Sequence, residues 1–226
     1  ILARGKEKHM IYEERCIQLK GGVLDEYLDW AVHRLWPTLE SKGADPVCLL
    51  NGLIGASSDE LLWIIGFKDY SAWESCQWTI AGKAKSQKPR NWIASEAVNL
   101  MMPSPYRPVG PVAIDERRAV YGARRWWIHP EDWSEFNRLS HDGVWPAMDY
   151  MGHHVIGQFR HAATTSPLEV LNLAGYDDVA HWHATRSPEK HDVPDALRDL
   201  LTALGRERNQ LVQKSLVCLM RAHWPD

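Results

Sequence analysis

The chain has 226 residues, 45% hydrophobic and 24% charged, with a net charge of −3 and a pI near 6.4. That length holds one large domain or two of about 110 residues, and the mildly acidic balance argues against the basic face that a nucleic-acid binder needs. No apolar run approaches the roughly 18 residues of a membrane helix, and the opening ILARGKEKHM has no apolar signal-like core, so a cytoplasmic protein is expected.

Residues 1–9 are expected to be a tail outside the fold, of vector or native origin. A strand is predicted over 10–19, a turn at Lys20-Gly21-Gly22, and a helix over 23–41. In that helix Leu24, Leu28, Ala31, Leu35 and Leu39 share one face. Pro37 lies inside the helical pattern, so a kink or break is expected there, and Lys42-Gly43 ends the helix. Strands are predicted over 47–54 and 60–67, the second with a nearly continuous apolar run that suggests both faces are covered. Asp69 is expected to cap a short helix to about residue 78. A polar loop over 82–90 and a strand over 92–102 follow, and Pro103, Pro105, Pro108 and Pro111 mark a linker.

The second half repeats this order. Strands are predicted over 119–128, 155–161, 168–174 and near 211–220, with a helix from Pro130 to about residue 151 and another capped by Asp178. A helical stretch over 191–206 has no counterpart in the first half. Shifting the chain by 109 residues pairs Tyr12 with Tyr121, Arg15 with Arg124 and Glu26 with Glu135. The same shift pairs Trp36-Pro37 with Trp145-Pro146, Gly43 with Gly152, Gly66 with Gly175, Asp69 with Asp178 and Trp73 with Trp182. A repeat of that kind sets the architecture. The boundaries expected are 10–108 for the first unit, 109–118 for the linker and 119–226 for the second unit.

A βαββαβ unit folds as a four-stranded antiparallel sheet with both helices on one face. Its bare face needs a cover, and the second unit supplies one. The expected fold is α+β: two tandem ferredoxin-like units packed sheet to sheet as a barrel, helices outside, with a cavity between the sheets or at an open end. Ile11-Tyr12-Glu13-Glu14-Arg15, the Lys20-Gly21-Gly22 turn, the helix ending in Trp36-Pro37, and Gly66-Phe67-Lys68-Asp69-Tyr70 resemble the NIPSNAP family. That resemblance implies a dimeric α+β barrel fold in tandem form and an arginine face turned towards the cavity. It implies little about function, because fold does not dictate chemistry.

Arg15 and Arg124 hold the same place in both copies and are candidate anchors for an anion or carbonyl; an inter-sheet salt bridge is the rival reading. His33 is matched by Asp142, beside His141, and a histidine next to a carboxylate is a candidate general base. Gln158, Arg160 and Asn172 replace Leu49, Asn51 and Trp63, so the second copy carries more polar groups on its sheet, which need partners. The candidate catalytic residues are therefore His33, His141, Asp142, His161, Tyr12 and Tyr121. The candidate substrate-binding residues are Arg15, Arg124, Gln158, Arg160, Asn172, Trp63 and Trp126.

The 12 tryptophans read as core packing or as the lining of an aromatic cavity. Cys16, Cys48, Cys76 and Cys218 show no ligand spacing and read as reduced thiols. No metal site is expected, because the histidines show no recognised ligand pattern, and no cofactor. Superfamily relatives that bind haem through a lone histidine make haem an alternative. The function expected is a cofactor-independent enzyme of isomerase, lyase, cyclase or oxygenase type, acting on an apolar cyclic or aromatic metabolite by acid/base chemistry. A non-catalytic ligand-binding or scaffold protein is the alternative. The partner expected is a small molecule, with neither nucleic acid nor membrane, and homodimerisation through sheet edges is an open expectation.

Overall fold

A computed structural model of the chain describes residues 11–80, 91–107, 109–186 and 188–225. The tail at 1–9 and the whole of the loop expected at 82–90 lie outside them. Four strands form the first half: β1 (Ile11–Leu19), β2 (Asp45–Ile54), β3 (Glu60–Phe67) and β4 (Ile93–Pro103). Four more form the second: β5 (Val120–Ile128), β6 (His154–His161), β7 (Leu168–Tyr176) and β8 (Val212–His223). Within each half the order is the same, β4-β1-β3-β2 and β8-β5-β7-β6, and neighbours are antiparallel. The halves also join edge to edge, β2 to β8 and β6 to β4, so the expected face-to-face packing becomes one closed eight-stranded barrel. Closure leaves no open sheet edge at the joins. The β4–β6 seam is the shorter, with Met101 opposite His161, Met102 opposite Arg160 and Pro103 opposite Phe159.

Helices cover the outside. The first half has α1 (Leu24–Trp30), a π-helical turn at Ala31–Leu35, α2 (Trp36–Ser41) and α3 (Tyr70–Ile80). The second half has α4 (Trp133–Leu139), a π-helical turn at Ser140–Val144, α5 (Trp145–Tyr150), α6 (Val179–Ala184) and α7 (Asp195–Gln210). The irregularity expected at Pro37 lies one turn earlier, in the widened π turn. Pro37 itself sits in the first turn of α2, where its missing N–H has no partner to lose. The turn at Ser140–Val144 repeats this before Pro146. Asp69 and Asp178 behave as predicted: Asp69 Oδ1 accepts from the Ala72 amide at 2.9 Å and Asp178 Oδ1 from the His181 amide at 2.7 Å.

Strand alternation separates two interiors. Ile11, Ile17 and Leu19 of β1 pack under the helices with Tyr27, Leu35, Trp36, Leu39, Leu49 and Trp63. Tyr12 points into the barrel with Cys48, Leu62, Ile64, Tyr121, Phe159 and Leu173. Val109 also enters the barrel and accepts a hydrogen bond from Tyr12 Oη at 2.7 Å. Arg15 lies on the helix side, where it meets Gln77 of α3 at 2.9 Å. The expectation that the arginine face looks into the barrel is thereby reversed: the odd positions of β1 face the helices.

The extra helical stretch of the second half is α7. It crosses the π turn closely enough that a Cβ on Gly143 would lie 2.3 Å from Leu204 Cβ. The first-half counterpart of Gly143, Arg34, is exposed. Among the described residues no helix is long and apolar enough to cross a membrane.

Candidate functional site in the second half

The two halves treat the space between sheet and helices differently. In the first half, Arg15 of β1 stands opposite Trp63 of β3, which stands opposite Leu49 of β2. Trp63 and Leu49 are buried and fill the layer. Arg15 is neutralised there by Glu13 and Glu96, each at 2.6 Å. In the second half the same row is Arg124, Asn172 and Gln158. Glu13 is replaced by Gly122 and Trp63 by Asn172. One substitution removes the carboxylate and the other removes an indole. What remains is a cavity of about 350 Å³, lined by Arg124, Trp126, Trp145, Asn172, Tyr176 and Arg208 among others. That is the lower end of the size range of small-molecule pockets.

Among the described residues three guanidinium groups, from Arg124, Arg186 and Arg208, line this cavity, and no carboxylate does. Among the described residues Arg124 makes no hydrogen bond and no ion pair; its guanidinium lies 5.8 Å from the Trp126 ring centre. Arg208 of α7 reaches Ser140 Oγ at 3.4 Å, and its Nε is buried without a partner. It lies over Trp126 at 5.1 Å and Phe136 at 5.4 Å. Aromatic faces thus hold the cations without cancelling their charge. Burial lowers the pKa of Arg124, with Tyr176 opposing and Arg186 adding to the shift. Burial and then Arg124 lower Arg208 to about 10, which leaves both charged at neutral pH. Beside them, Asn172 Oδ1 and both polar atoms of Gln158 are buried without partners.

At the wall of the cavity, His153 Nδ1 lies 2.8 Å from Tyr176 Oη, and His153 Nε2 lies 3.2 Å from the Thr185 carbonyl. A carbonyl can only accept, so Nε2 carries the proton and Nδ1 accepts from the tyrosine. Burial lowers the pKa of His153, and it raises Tyr176 to about 12, with Arg124 opposing. Both groups are therefore neutral at neutral pH. Neither was singled out as catalytic from sequence. The 109-residue shift does carry a signal, since Tyr176 replaces Phe67 and His153 replaces Ala44, polar groups where the first copy has apolar ones.

Of the residues named from sequence, Arg124, Asn172 and Trp126 line this cavity. Gln158 lies behind Asn172. Arg15 and Trp63 are sealed in the first-half core. Arg160 lies over Trp133 at 6.0 Å and donates to the His161 carbonyl. The catalytic candidates do not converge. His33 is exposed beside Asp29. His141 stacks on Tyr106 at the surface, and Asp142 pairs with Arg138. Tyr12, Tyr121 and His161 belong to the barrel interior, not to this cavity. The tryptophan-rich cavity thus lies under the helices rather than inside the barrel.

Inside the barrel, buried Glu14 accepts from Arg125 at 2.5 Å and from Asn99 at 3.1 Å, and meets His161 at 3.4 Å. Arg125 also bridges to Glu169. A second cavity of about 490 Å³ opens beside this network, with Cys16, Leu62, Ala123, Arg125, Cys218 and Met220 on its wall. Burial pushes the Cys16 thiol up to about 11, so it is not a nucleophile at neutral pH. All four cysteines are free. Among the described residues no group of three or more His, Cys, Asp or Glu is placed to hold a metal. A haem needs a free axial donor. Among the described residues His153 is the one histidine on the lining of the helix-side cavity and both its nitrogens are engaged, so that lining does not fit a histidine-ligated haem.

No protein-family model and no curated protein matches the sequence. Solved structures match the fold. A protein from Lactobacillus acidophilus NCFM, provisionally named a monooxygenase, is 12% identical; the match covers 95% of this chain and 94% of that one, with a TM-score of 0.64. A chlorite dismutase from Candidatus Nitrospira defluvii is 11% identical, over 95% and 92%, at 0.53. The chain thus has the dimeric α+β barrel fold, with both units in one polypeptide. A NIPSNAP domain protein from Burkholderia xenovorans aligns with 44% of this chain at 17% identity and a TM-score of 0.34, too low to argue from.

Proposed function

We propose that the chain is a small-molecule enzyme acting on an apolar, cyclic or aromatic compound in the helix-side cavity of its second half, by acid/base chemistry without a cofactor. The observation that carries this reading is the Tyr176–His153–Thr185 chain at the wall of an aromatic cavity. Tyr176 Oη takes a proton from a substrate carbon next to a carbonyl as it passes its own proton to His153 Nδ1. The Thr185 carbonyl holds the resulting imidazolium at Nε2–H. Returning the proton at another carbon gives an isomerisation, and returning it at the same carbon gives exchange with solvent. Burial disfavours both a phenolate and an imidazolium, so the pair passes a proton on rather than storing it. Positioned proton transfer of this kind contributes about 10²–10⁴-fold in rate. The NIPSNAP likeness of the first half rests on its sequence motifs and adds nothing to the choice of reaction.

Solvent deuterium incorporation tests the reading. A panel of cyclic and aryl ketones, 2-tetralone among them, is incubated with the protein in D2O and read by mass spectrometry. Incorporation above background, reduced at least about 100-fold by Tyr176→Phe and by His153→Gln, is expected. Incorporation that survives both variants overturns the Tyr176–His153 chain as the proton carrier, and binding of the panel with no exchange at all overturns the enzyme and leaves a ligand-binding protein.

A further inference from the structure

We infer that the helix-side cavity selects an anion: its ligand is an aromatic or cyclic carboxylate, with the ring among the tryptophans and the carboxylate on Arg124 and Arg208. The inference rests on the cavity proposed above and deepens it by naming the charge of what enters.

The repeat supplies the argument, because it holds an internal control. Arg15 and Arg124 occupy equivalent positions on equivalent strands, opposite Trp63 and Asn172. Arg15 is saturated: its Nε meets Glu13, its Nη1 meets Glu96 and its Nη2 meets Gln77. Every one of these partners is absent from the second copy. Gly122 stands for Glu13, and Arg186 stands for Gln77. Ser215 stands for Glu96 in the register of the last strands, where Ile17 faces Glu96 and its counterpart Trp126 faces Ser215. Two of the three replacements remove negative charge and the third adds positive charge. Then α7, which the first copy lacks, brings Arg208 to the same cavity. A duplicated arginine that merely filled space would keep its counter-ion, since a buried charge without one is costly.

A carboxylate fits this set on two counts. Guanidinium forks bind it in two-point fashion. Among the described residues the lining offers no carboxylate to repel it. The ring system is set by Trp126, Trp145 and Trp182 on the lining, which favour a flat apolar body.

The test compares 1-naphthoate with its neutral isostere 1-naphthamide, read by calorimetry and by quenching of tryptophan fluorescence. Naphthoate is expected to bind at least about tenfold more tightly, the equivalent of one charge-assisted hydrogen bond. Arg124→Gln and Arg208→Gln are expected to bring the two ligands to within about twofold of each other. Gly122→Glu restores the first copy's carboxylate beside Arg124, where a Cβ meets nothing nearer than 3.4 Å. It is expected to abolish naphthoate binding while the thermal transition is kept. Equal affinity of the two ligands for the unaltered protein overturns the inference, as does a charge preference that persists in all three variants. These are binding measurements, so loss of deuterium exchange with charge selection intact sinks the enzyme alone. Exchange without charge selection sinks the anion site alone.

Discussion

Single residues decide which of two equivalent arginines is structural. Glu13 is fully buried and shared: it accepts from Arg15, from Trp73 Nε1 at 2.6 Å and from Gln77 at 2.8 Å. Removing its charge leaves Arg15 in a sealed layer with the partly exposed Glu96 as its remaining counter-ion, and breaking a buried pair from one side costs up to about 3–5 kcal/mol. Glu13→Gln is therefore expected to lower the urea midpoint. Arg124→Met is expected to leave the midpoint unchanged or raise it, because it removes an unpaired charge from an apolar surrounding. An equal loss from both variants would show that Arg124 has a structural partner after all. From sequence, Arg15 and Arg124 were equals. The difference was present in the string, as Glu13 against Gly122, but its meaning depended on knowing that positions 13 and 15 share the helix face.

Elements matter through α7 and the π turn it covers. Gly143 is required by close approach rather than by its backbone angles, since an added methyl would lie 2.3 Å from Leu204 Cβ. That atom is fixed to the helix backbone and cannot swing aside. Gly143→Ala is expected to push α7 outward and to cost about 1–3 kcal/mol, the usual range for overpacking. Because α7 carries Arg208, the same variant is expected to weaken naphthoate binding with little change for naphthamide. A variant that loses stability but keeps full charge selection would separate α7 from the site. The helical character of this stretch and its absence from the first copy were legible in sequence, though the helix runs Asp195–Gln210 rather than 191–206. Its docking across Ser140–Val144 was not legible, because an amphipathic pattern says which face is apolar and not what covers it.

At the scale of the whole molecule, the barrel joins its halves through Glu14. Burial would raise its pKa, but His161, Arg125 and Asn99 outweigh that and hold it at about 2. His161 is shifted upward, chiefly by its bond to Glu14. A lowered carboxylate contributes stability that is complete above its unfolded value near 4.5 and is lost as pH falls towards 2. A raised histidine contributes stability that is present below about 6.5 and is lost as pH rises through its folded value. Both contributions coexist between about pH 4.5 and 6.5, so stability is expected to be highest there and to fall on each side. The Glu14 limb amounts to roughly 3 kcal/mol. His161→Gln is expected to remove the decline on the alkaline side, and Glu14→Gln both limbs, in urea titrations across pH. A flat profile in the unaltered protein would show that the network does not titrate with folding.

The sequence by itself determined the duplication, the βαββαβ order of each half, nearly every strand to within a few residues, and the two aspartate caps. Those properties are local: strand and helix periods, turn residues and capping spacings act over a few residues, and the 109-residue shift doubled each signal. It also marked Arg124 and Asn172 as residues that a second copy had kept or changed. Only the tertiary structure decided which sheet face looks inward. A period of two assigns residues to two faces and gives no sign to either, so the arginine face was turned the wrong way. It also decided that the halves close edge to edge through β2–β8 and β4–β6, and that His153 finds Tyr176 23 residues away across β6 and β7. The cavity itself is a difference of volumes, an indole in one copy and an amide in the other, under a helix that the first copy lacks. No pattern along one chain measures the space that such a difference leaves.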